Sequence, residues 1–383
     1  MKQAQVPILF LIDFLHIFSG TERHLFELAT NLDRDRFKPF VVTFQGSPAF
    51  KRKFEQHDIP IKILNMRKIY GSRQLAMFFK LNEFIQREGI TLLQTFHTNP
   101  DIYGTVLARF SRIPVIISSR RDMGLGRNRR NVWCYKLLNR YVDRIICVSE
   151  KVKQFVMDDE GVSGDKITVV YNGIETNKLD LPVNAAHERK KLSIPAGAPV
   201  MGMLANFNPV KGHRYFLDAA VIIRKKIPDL HLVMAGEGPV LEQMRQKVVQ
   251  LGLERCTRFL GYTEAIAEAL SVMDVVVSPS CSEGFSNTIL EALYMSRPVI
   301  ATDVGGNAEV IRNGETGILM PPRNADAIAR RVVAVLTDNG RARKLGANGS
   351  RLVREKFLIP AMMENTMNVY DELLRKKSVY KLK

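Results

Sequence analysis

The sequence predicts an α/β fold in which two doubly wound parallel sheets face each other across a cleft. Three observations predict it. Short β-branched runs alternate with amphipathic segments of helical length, this alternation is interrupted once, and 383 residues are too many for one ordinary core. With 46% hydrophobic and 25% charged residues, the composition is that of a globular protein.

The first half of the chain, residues 1–178, is predicted to form one domain. Its candidate strands are Ile8–Ile12, Phe40–Phe44, Ile61–Leu64, Thr91–Thr95, Val115–Ser118, Arg144–Val148 and Ile167–Val170. The segments between them include helical patterns over Thr21–Leu32 and Gln74–Arg87. The apolar run Pro7–Phe18 contains Asp13 and His16 and precedes no small-residue cleavage site, so it is interpreted as a buried strand and not a signal peptide.

The second half, residues 190–359, is predicted to form the other domain. Its candidate strands are Val200–Ala205, His231–Ala235, Arg258–Leu260, Val275–Val277, Val299–Thr302 and Gly317–Met320. The polar, proline-containing segment Asn172–Pro199 shows no clear period and is interpreted as the connection. The helical tail 360–383, which ends in Lys381 and Lys383, is expected to pack back onto the first domain.

The segment Glu283–Glu291 contains the most informative motif, two glutamates separated by seven residues. Gly284 and Phe285 follow the first glutamate, and the polar residues Ser286, Asn287 and Thr288 precede an apolar helical run. Free N–H groups at a helix start attract a phosphate, whereas carboxylates accept hydrogen bonds from sugar hydroxyls. The pattern therefore suits a nucleotide-sugar.

Turns after the neighbouring strands contain further candidates. Lys211 follows a strand and precedes a helix, where an ammonium can reach a diphosphate over the sheet edge. Asn206 ends that strand, and the glycines of the next turn, Gly236 and Gly238, allow close backbone approach to a ligand, although a simple tight turn is an equal alternative.

The first domain contains its own candidates at strand ends. Gly20, Thr21 and Glu22 close the first strand and begin a helix, which is a possible anion site, and His97 ends the fourth strand. Asp33-Arg34-Asp35 has the spacing of a metal-binding pair but lies in a polar turn. No metal site is predicted.

Six segments of the second half carry a family resemblance: Asn208–Gly212, Ala235–Pro239, Phe259–Gly261, Ser278–Glu291, Pro298–Gly306 with Glu309, and Gly314–Pro322. Together they resemble the family-4 glycosyltransferases, retaining enzymes with the GT-B fold of two Rossmann-like domains. The resemblance implies that Glu283 contacts the donor sugar, Glu291 binds the ribose hydroxyls and Lys211 neutralises the diphosphate. It makes UDP the expected carrier, with GDP as the alternative, and the nucleotide-sugar a substrate, so that no cofactor is expected.

Two positions depart from the family pattern. Many members have an arginine where this chain has Asn206, and several have a histidine after the fifth strand, where it has Ser118-Ser119-Arg120-Arg121-Asp122. Arg120, or alternatively Arg121, is the candidate for the missing positive charge. Arg120, His97, Glu283 and Lys211 are thus the candidate catalytic residues.

The expected function is metal-free, retaining transfer of a sugar to the hydroxyl of a carbohydrate or lipid-linked acceptor. A sugar-nucleotide epimerase or hydrolase of the same architecture is the alternative. A nucleic-acid-binding protein is suggested only by the net charge of +17, and the sequence lacks a helix-turn-helix, an aromatic RNA-recognition pattern or a zinc pattern.

The basic stretch Arg120–Arg130 is followed by Trp133, Tyr135, Leu137 and Leu138. This combination suits the anionic inner face of a membrane, although an ordinary solvated loop before a core-facing helix is an equal alternative. No run reaches the roughly 18 apolar residues of a spanning helix. Four scattered cysteines suit a reducing cytosol, so a cytoplasmic location, with peripheral attachment to the membrane, is expected.

Overall fold

The computed structural model describes residues 5–16 and 19–379. The expectations for residues 1–4, 17–18 and 380–383, including the terminal Lys381 and Lys383, lie outside the described residues. The chain divides into two compact units. Unit 1 consists of residues 1–172 and 359–383, and unit 2 of residues 173–358.

Unit 1 contains a seven-stranded parallel sheet with the order β3-β2-β1-β4-β5-β6-β7. The strands are β1 Val6–Leu15, β2 Phe37–Gly46, β3 Ile61–Ile63, β4 Leu92–Phe96, β5 Val115–Arg120, β6 Arg144–Cys147 and β7 Ile167–Val169. The direction of winding reverses between β1 and β4, which is where ligands bind in sheets of this type.

Helices cover both faces of this sheet. They are α1 Gly20–Thr30, α2 Pro48–Glu55, α3 Ser72–Glu88, α4 Thr98–Phe110, α5 Arg129–Leu138 and α6 Glu150–Glu160. Because crossovers between parallel strands are right-handed, α1 and α2 lie on one face and α3 to α6 on the other. The core of the first face contains side chains of α1 and α2 and none of α3 to α5.

Unit 2 contains a six-stranded parallel sheet with the order β10-β9-β8-β11-β12-β13. The strands are β8 Val200–Leu204, β9 His231–Ala235, β10 Thr257–Gly261, β11 Val275–Ser278, β12 Val299–Thr302 and β13 Ile318–Met320. The winding reverses between β8 and β11, so the turns after these two strands border one crevice.

The helices of unit 2 are α7 Ala185–Lys191, α8 His213–Arg224, α9 Leu241–Gln250, α10 Ile266–Ser271, α11 Asn287–Tyr294, α12 Asn307–Val310, α13 Ala325–Leu336 and α14 Asn339–Lys356. The last helix of the chain, α15 Ile359–Lys376, belongs to unit 1. Its Tyr370 is buried in the unit 1 core, where the hydroxyl bonds to Gln94 and the ring packs edge-on against Phe37 at 5.9 Å.

The predicted α/β class with two doubly wound parallel sheets is confirmed, and each predicted strand overlaps an observed one. The segment Asn172–Pro199 differs from its expectation because it contains α7. Asn184 caps this helix by accepting a hydrogen bond from the backbone N–H of His187 at 3.1 Å. None of its residues is buried, so the apolar stripe that normally reveals a helix is absent from the sequence.

Candidate active site

The turn after β8 is pressed against the loop after β11. Lys211 ends a short 3-10 turn, and the Asn208 side chain accepts from the N–H of Val210 at 3.2 Å. Gly212 has a φ of 77°, and a side chain there would overlap the carbonyl of Pro279. The sequence Asn208–Gly212 thus builds a compact turn that only glycine can close.

Lys211 and Glu283 form an ion pair in this crevice. The Lys211 Nζ lies 2.8 Å from Oε1 and 2.7 Å from Oε2 of Glu283. The Glu283 side chain is 8% exposed and the Lys211 side chain 27% exposed. A carboxylate so far from water needs a partner, and here the ammonium supplies it. The remaining exposure of the lysine leaves it accessible to a ligand.

The loop that contains Glu283 is held by the turn after β12. The backbone N–H of Gly306 donates to the carbonyl of Gly284 at 3.0 Å. Gly305 has a φ of 52°, and a Cβ at this position would overlap the carbonyl oxygen of Glu283. The two glycines therefore allow the turn to fix the backbone from which the Glu283 side chain projects.

Helix α11 begins directly after this loop, as the polar segment predicted. Ser286 caps the helix, and its Oγ accepts from the N–H of Ile289 at 3.4 Å. Asn287 and Thr288 form its first turn. Glu291 lies in the middle of the helix and is buried. Phe285 is also buried and packs against Phe357 with ring centroids 5.7 Å apart.

The turn after β9 meets the turn after β8. A Cβ on Gly236, which has a φ of 137°, would overlap the carbonyl of Ala205, and one on Gly238 would overlap that of Phe207. The N–H of Phe207 donates to the carbonyl of Glu237 at 2.8 Å. Both glycines are required for this approach, which brings them next to the strand end at 205–206.

Two buried polar residues near this sheet edge, His213 and Asn307, were not among the candidates predicted from the sequence. His213 begins α8, is buried, and stacks on Phe207 at 4.0 Å, and burial lowers its pKa to about 4. Asn307 is buried after β12, and its Nδ2 donates to the carbonyl of Thr302 at 2.9 Å. The position of His213 directly after Lys211 and Gly212 was the sequence feature that could have identified it. Only the fold places Asn307 near the other residues.

Unit 1 has a separate polar cluster at the carboxyl ends of β1 and β4. Gly20 and Thr21 begin α1, and Glu22 is fully buried, where the Ser19 hydroxyl donates to its carboxylate. His97 Nε2 lies 3.9 Å from Oε1 of Glu22. Burial raises the pKa of Glu22 and lowers that of His97 to about 4.

The backbone of His97 adopts an uncommon conformation. Its φ is 74°, in the left-handed region that non-glycine residues rarely occupy. The ring stacks on Phe14 at 4.9 Å with an angle of 17° between the planes. A histidine held in this way at the residue before α4 is neutral at pH 7 and can accept a hydrogen bond.

Arg120 does not suit its predicted contact with a donor. Its guanidinium is 1% exposed and lies 2.6 Å from Asp101 and 2.8 Å from Glu160, over the ring of Tyr135. Burial alone would raise the pKa of Glu160, but Arg120, together with Arg127 and Asn139, outweighs burial and lowers the pKa. With its donors committed to buried carboxylates, Arg120 stabilises the domain and has no free face for a diphosphate.

Arg121 is the alternative that the structure leaves available. It is half-buried and hydrogen-bonds to Asn172. Burial lowers its pKa to about 9, against the opposing effect of the Glu27 and Glu22 carboxylates. The arginine thus remains positive at pH 7 beside the cluster of Glu22 and His97.

No metal site is evident at either cluster. In the described part of the chain, no three side chains of His, Cys, Asp or Glu come together in a way that could hold a metal ion. The Asp33-Arg34-Asp35 segment forms a turn in which the N–H of Asp35 donates to the Asp33 side chain at 3.0 Å. Among residues 5–16 and 19–379, every helix is too short or too polar to cross a bilayer.

Comparison with known proteins gives matches along most of the chain. The model described as Glycosyltransferase Family 4 matches residues 18–178, and the model described as Glycosyl transferases group 1 matches residues 184–352. An Escherichia coli UDP-Gal:alpha-D-GlcNAc-diphosphoundecaprenol alpha-1,3-galactosyltransferase is 23% identical over 96% of this chain and 97% of that protein. The Rhizobium meliloti lipopolysaccharide core biosynthesis mannosyltransferase LpsB is 27% identical over 64% of this chain and 70% of that protein.

Solved structures show the same fold. The crystal structure of Anabaena Alr3699/HepE in complex with UDP-glucose has a TM-score of 0.85 at 23% identity and covers 96% of this chain and 100% of that one. The fold and the matches define a glycosyltransferase with the GT-B fold. The chain belongs to the family-4 glycosyltransferases. Because the relatives are transferases by name, the epimerase or hydrolase alternative is not favoured.

Proposed function

We propose that this enzyme transfers a hexose from a UDP-sugar to a hydroxyl of a carbohydrate or lipid-linked acceptor, with retention of configuration and without a metal. The observation that carries the proposal is the Lys211–Glu283 ion pair in the crevice between β8 and β11. The Glu283 carboxylate, which holds the Lys211 ammonium, lies in the loop that leads directly into the first turn of α11. This arrangement suits a diphosphate joined to a sugar.

The chemical step is a substitution at the anomeric carbon of the donor. The bond from this carbon to the β-phosphate oxygen breaks, a bond to the acceptor oxygen forms, and the proton of the acceptor hydroxyl is released to solvent. UDP leaves with the additional negative charge, so stabilising that charge is the main electrostatic task. Lys211 is positioned for it, and the positive end of the α11 dipole at Ser286 adds a weaker contribution.

Donor binding would change the partners of the ion pair. A diphosphate carries more negative charge than one carboxylate and competes for the Lys211 ammonium, which is the more exposed partner. Glu283 then becomes available to accept hydrogen bonds from sugar hydroxyls. We assign Glu291 to the ribose hydroxyls on the family resemblance, and retention rests on the same resemblance.

The unit 1 cluster is assigned a supporting role. His97 is neutral and next to Glu22, so it can accept a hydrogen bond from an acceptor hydroxyl. Arg121, and not Arg120, supplies the positive charge that the sequence departures called for. The backbone at Gly20 and Thr21 opens α1 and offers N–H groups to an anionic group of a ligand.

The acceptor class is supported by the names of relatives. The Escherichia coli relative acts, by its name, on GlcNAc-diphosphoundecaprenol, and LpsB on a lipopolysaccharide core. A lipid-linked acceptor would place the enzyme at the cytoplasmic face of a membrane, attached peripherally. The net charge of +17 suits an anionic lipid surface, and no nucleic-acid partner is proposed.

A panel of nucleotide-sugars tests the donor assignment. A bound donor raises the unfolding free energy by about 2.7 kcal/mol when its concentration is a hundred times Kd. UDP-sugars should raise Tm, GDP-sugars should not, and adding EDTA should change neither Tm nor turnover. If no nucleotide-sugar shifts Tm, the donor site is assigned wrongly. Release of an epimer or free sugar as the main product, with an acceptor present, would also overturn the proposal.

A further inference from the structure

Three neighbouring helices of unit 1 each expose a pair of large apolar side chains one helical turn apart. The pairs are Leu75 and Phe79 on α3, Val106 and Phe110 on α4, and Trp133 and Leu137 on α5. Their exposed fractions run from 37% to 64%. Residues four apart lie on the same face of a helix, so each pair forms an apolar stripe that is directed at solvent.

The three stripes lie on one surface. Right-handed crossovers place α3, α4 and α5 in the same layer. The Phe110 ring lies 5.3 Å from that of Phe78 and 5.9 Å from that of Phe79, so α3 and α4 touch through aromatic contacts. Arg109 of α4 stacks on Tyr141, the exposed residue that follows the α5 stripe, at 5.4 Å. We call this surface the α3–α5 face.

The same segment is strongly basic. Residues 66–141, all of them described, contain fourteen Lys and Arg and four Asp and Glu. Of the acidic residues, Asp101 is buried, Glu88 and Asp122 are half-buried, and Glu83 is exposed. The exposed basic residues include Arg67, Lys68, Arg73, Lys80, Arg109, Arg112, Arg129, Arg130, Lys136 and Arg140.

The chemistry of this face selects its partner. Exposed apolar patches of this kind mark contact surfaces, and aromatic rings edged by cations suit the boundary between headgroups and acyl chains. Each cation close to an anionic bilayer contributes about 1 kcal/mol. A second copy of the same face would bring two strongly positive surfaces together, so self-association is disfavoured.

We propose that the α3–α5 face is the surface through which the enzyme binds an anionic lipid bilayer. This inference rests on the proposed lipid-linked acceptor and relocates the contact predicted from Arg120–Arg130. In that stretch Arg120 and Arg127 are paired with Glu160 in the interior, and of its arginines only Arg129 and Arg130 are exposed. The stripes on α3 and α4, absent from the sequence prediction, contribute four of the six exposed apolar side chains.

Vesicle co-sedimentation of the full-length chain tests the inference. The probes are phosphatidylcholine vesicles with and without phosphatidylglycerol, at low and high salt. The wild type should bind only the anionic vesicles, more weakly at high salt. The triple variant Phe79→Ser/Phe110→Ser/Trp133→Ser should bind at least tenfold more weakly. The matched variant Val249→Ser/Tyr262→Ser, which changes exposed apolar residues of unit 2, should bind like the wild type.

Charge is tested separately. The variant Arg73→Gln/Lys80→Gln/Arg130→Gln should bind anionic vesicles more weakly than the unit 2 control Arg331→Gln/Arg343→Gln/Lys344→Gln. The inference would be overturned if both charge variants lost binding equally, if the unit 1 charge variant bound like the wild type, or if the wild type bound neutral and anionic vesicles equally. Preferential capture of RNA over anionic vesicles would do so too. The Tm shift with UDP-sugar should persist in all variants. If UDP-sugar does not raise the Tm of the wild type, the proposed function is refuted, whereas the vesicle-binding results still decide whether the α3–α5 face binds lipid.

Discussion

Lys211 and Glu283 join the two turns between which the unit 2 sheet reverses its winding. The ammonium lies within 2.8 Å of both carboxylate oxygens, and 72 residues separate the partners in the chain. Each residue is held by backbone that tolerates little change, Lys211 by the turn closed at Gly212 and Glu283 by the contact with Gly305. The pair is therefore preorganised before a donor arrives, which reduces the cost of arranging charges during the reaction.

Removing one partner of this pair should harm folding as well as activity. Lys211→Met leaves the nearly buried Glu283 carboxylate without its cation, at a cost below the roughly 3–5 kcal/mol of a fully buried pair because Lys211 is partly exposed. The double variant Lys211→Met/Glu283→Gln should regain stability in urea unfolding. Both variants should still lose turnover, about 100-fold or more. Recovery of turnover in the double variant would contradict the role of Lys211.

Glu283→Gln alone should separate turnover from donor affinity. The amide keeps the size of the side chain but loses the charge that holds Lys211 and accepts sugar hydroxyls. We expect kcat to fall more than donor Kd rises, measured by steady-state kinetics and calorimetry on the same preparation. A rise in donor Kd with kcat unchanged would instead assign Glu283 to uniform binding only.

Glu291→Ala should weaken donor binding. Hydrogen bonds to a charged group contribute about 1.5–3 kcal/mol, so Kd should rise at least tenfold. Glu242→Ala, which removes an exposed glutamate from α9, is the matched control. Titration calorimetry with UDP and UDP-sugar measures both. Unchanged affinity for Glu291→Ala would count heavily against the ribose assignment.

Gly305→Ala should impair the site more than the backbone conformation alone requires. Both Gly305 and Gly314 have a positive φ, so alanine at either costs about 1–2 kcal/mol. A Cβ at Gly314 meets open space, whereas one at Gly305 overlaps the Glu283 carbonyl. Gly305→Ala should therefore lower kcat and Tm beyond the effect of Gly314→Ala. Equal effects in activity and melting assays would show that the close approach is unimportant.

The sequence predicted the fold well because each sheet strand is a short apolar run between helical segments. It also predicted that Lys211 follows a strand and that Glu283 directly precedes a helix. Their direct pairing was not predicted, because a strand pattern does not fix the order of strands in a sheet. Only the order β8-β11 places these two turns side by side.

Arg120 shows the opposite limit. Its sequence neighbours are basic, which favoured a role in binding anions, but it lies on β5 and its side chain points into the interior. The carboxylates that hold it, Asp101 and Glu160, come from α4 and α6. Nothing in a single sequence pairs three residues so far apart, and a one-residue shift along a strand decides which of two adjacent arginines is buried.

Substituting the two adjacent arginines should therefore have opposite consequences. Arg120→Leu leaves Asp101 and Glu160 without their shared cation and should destabilise the protein by about 3–5 kcal/mol in urea unfolding. Arg121→Gln should lower kcat/KM with a much smaller loss of stability. If Arg120→Leu lowers kcat/KM strongly under conditions where the variant is still folded, Arg120 would again be assigned to contact the donor.

His213 should contribute a pH dependence to stability with a defined sign. Burial, reinforced by the charge of Lys211, lowers its pKa in the folded protein to about 4, against an ordinary 6.5. Between these values the unfolded chain binds a proton and the folded protein does not, so stability falls as the pH falls from about 6.5 to 4 and then levels off. The full contribution is about 3 kcal/mol.

His213→Phe keeps a ring to stack on Phe207 but cannot titrate, so its unfolding free energy should depend less on pH. His24 and His97 act with the same sign and Glu22 with the opposite one, which makes the difference between wild type and variant the relevant quantity. Parallel urea unfolding curves at pH 7 and pH 5 measure it, and identical pH slopes would mean that His213 is protonated as readily in the folded protein as in the unfolded chain.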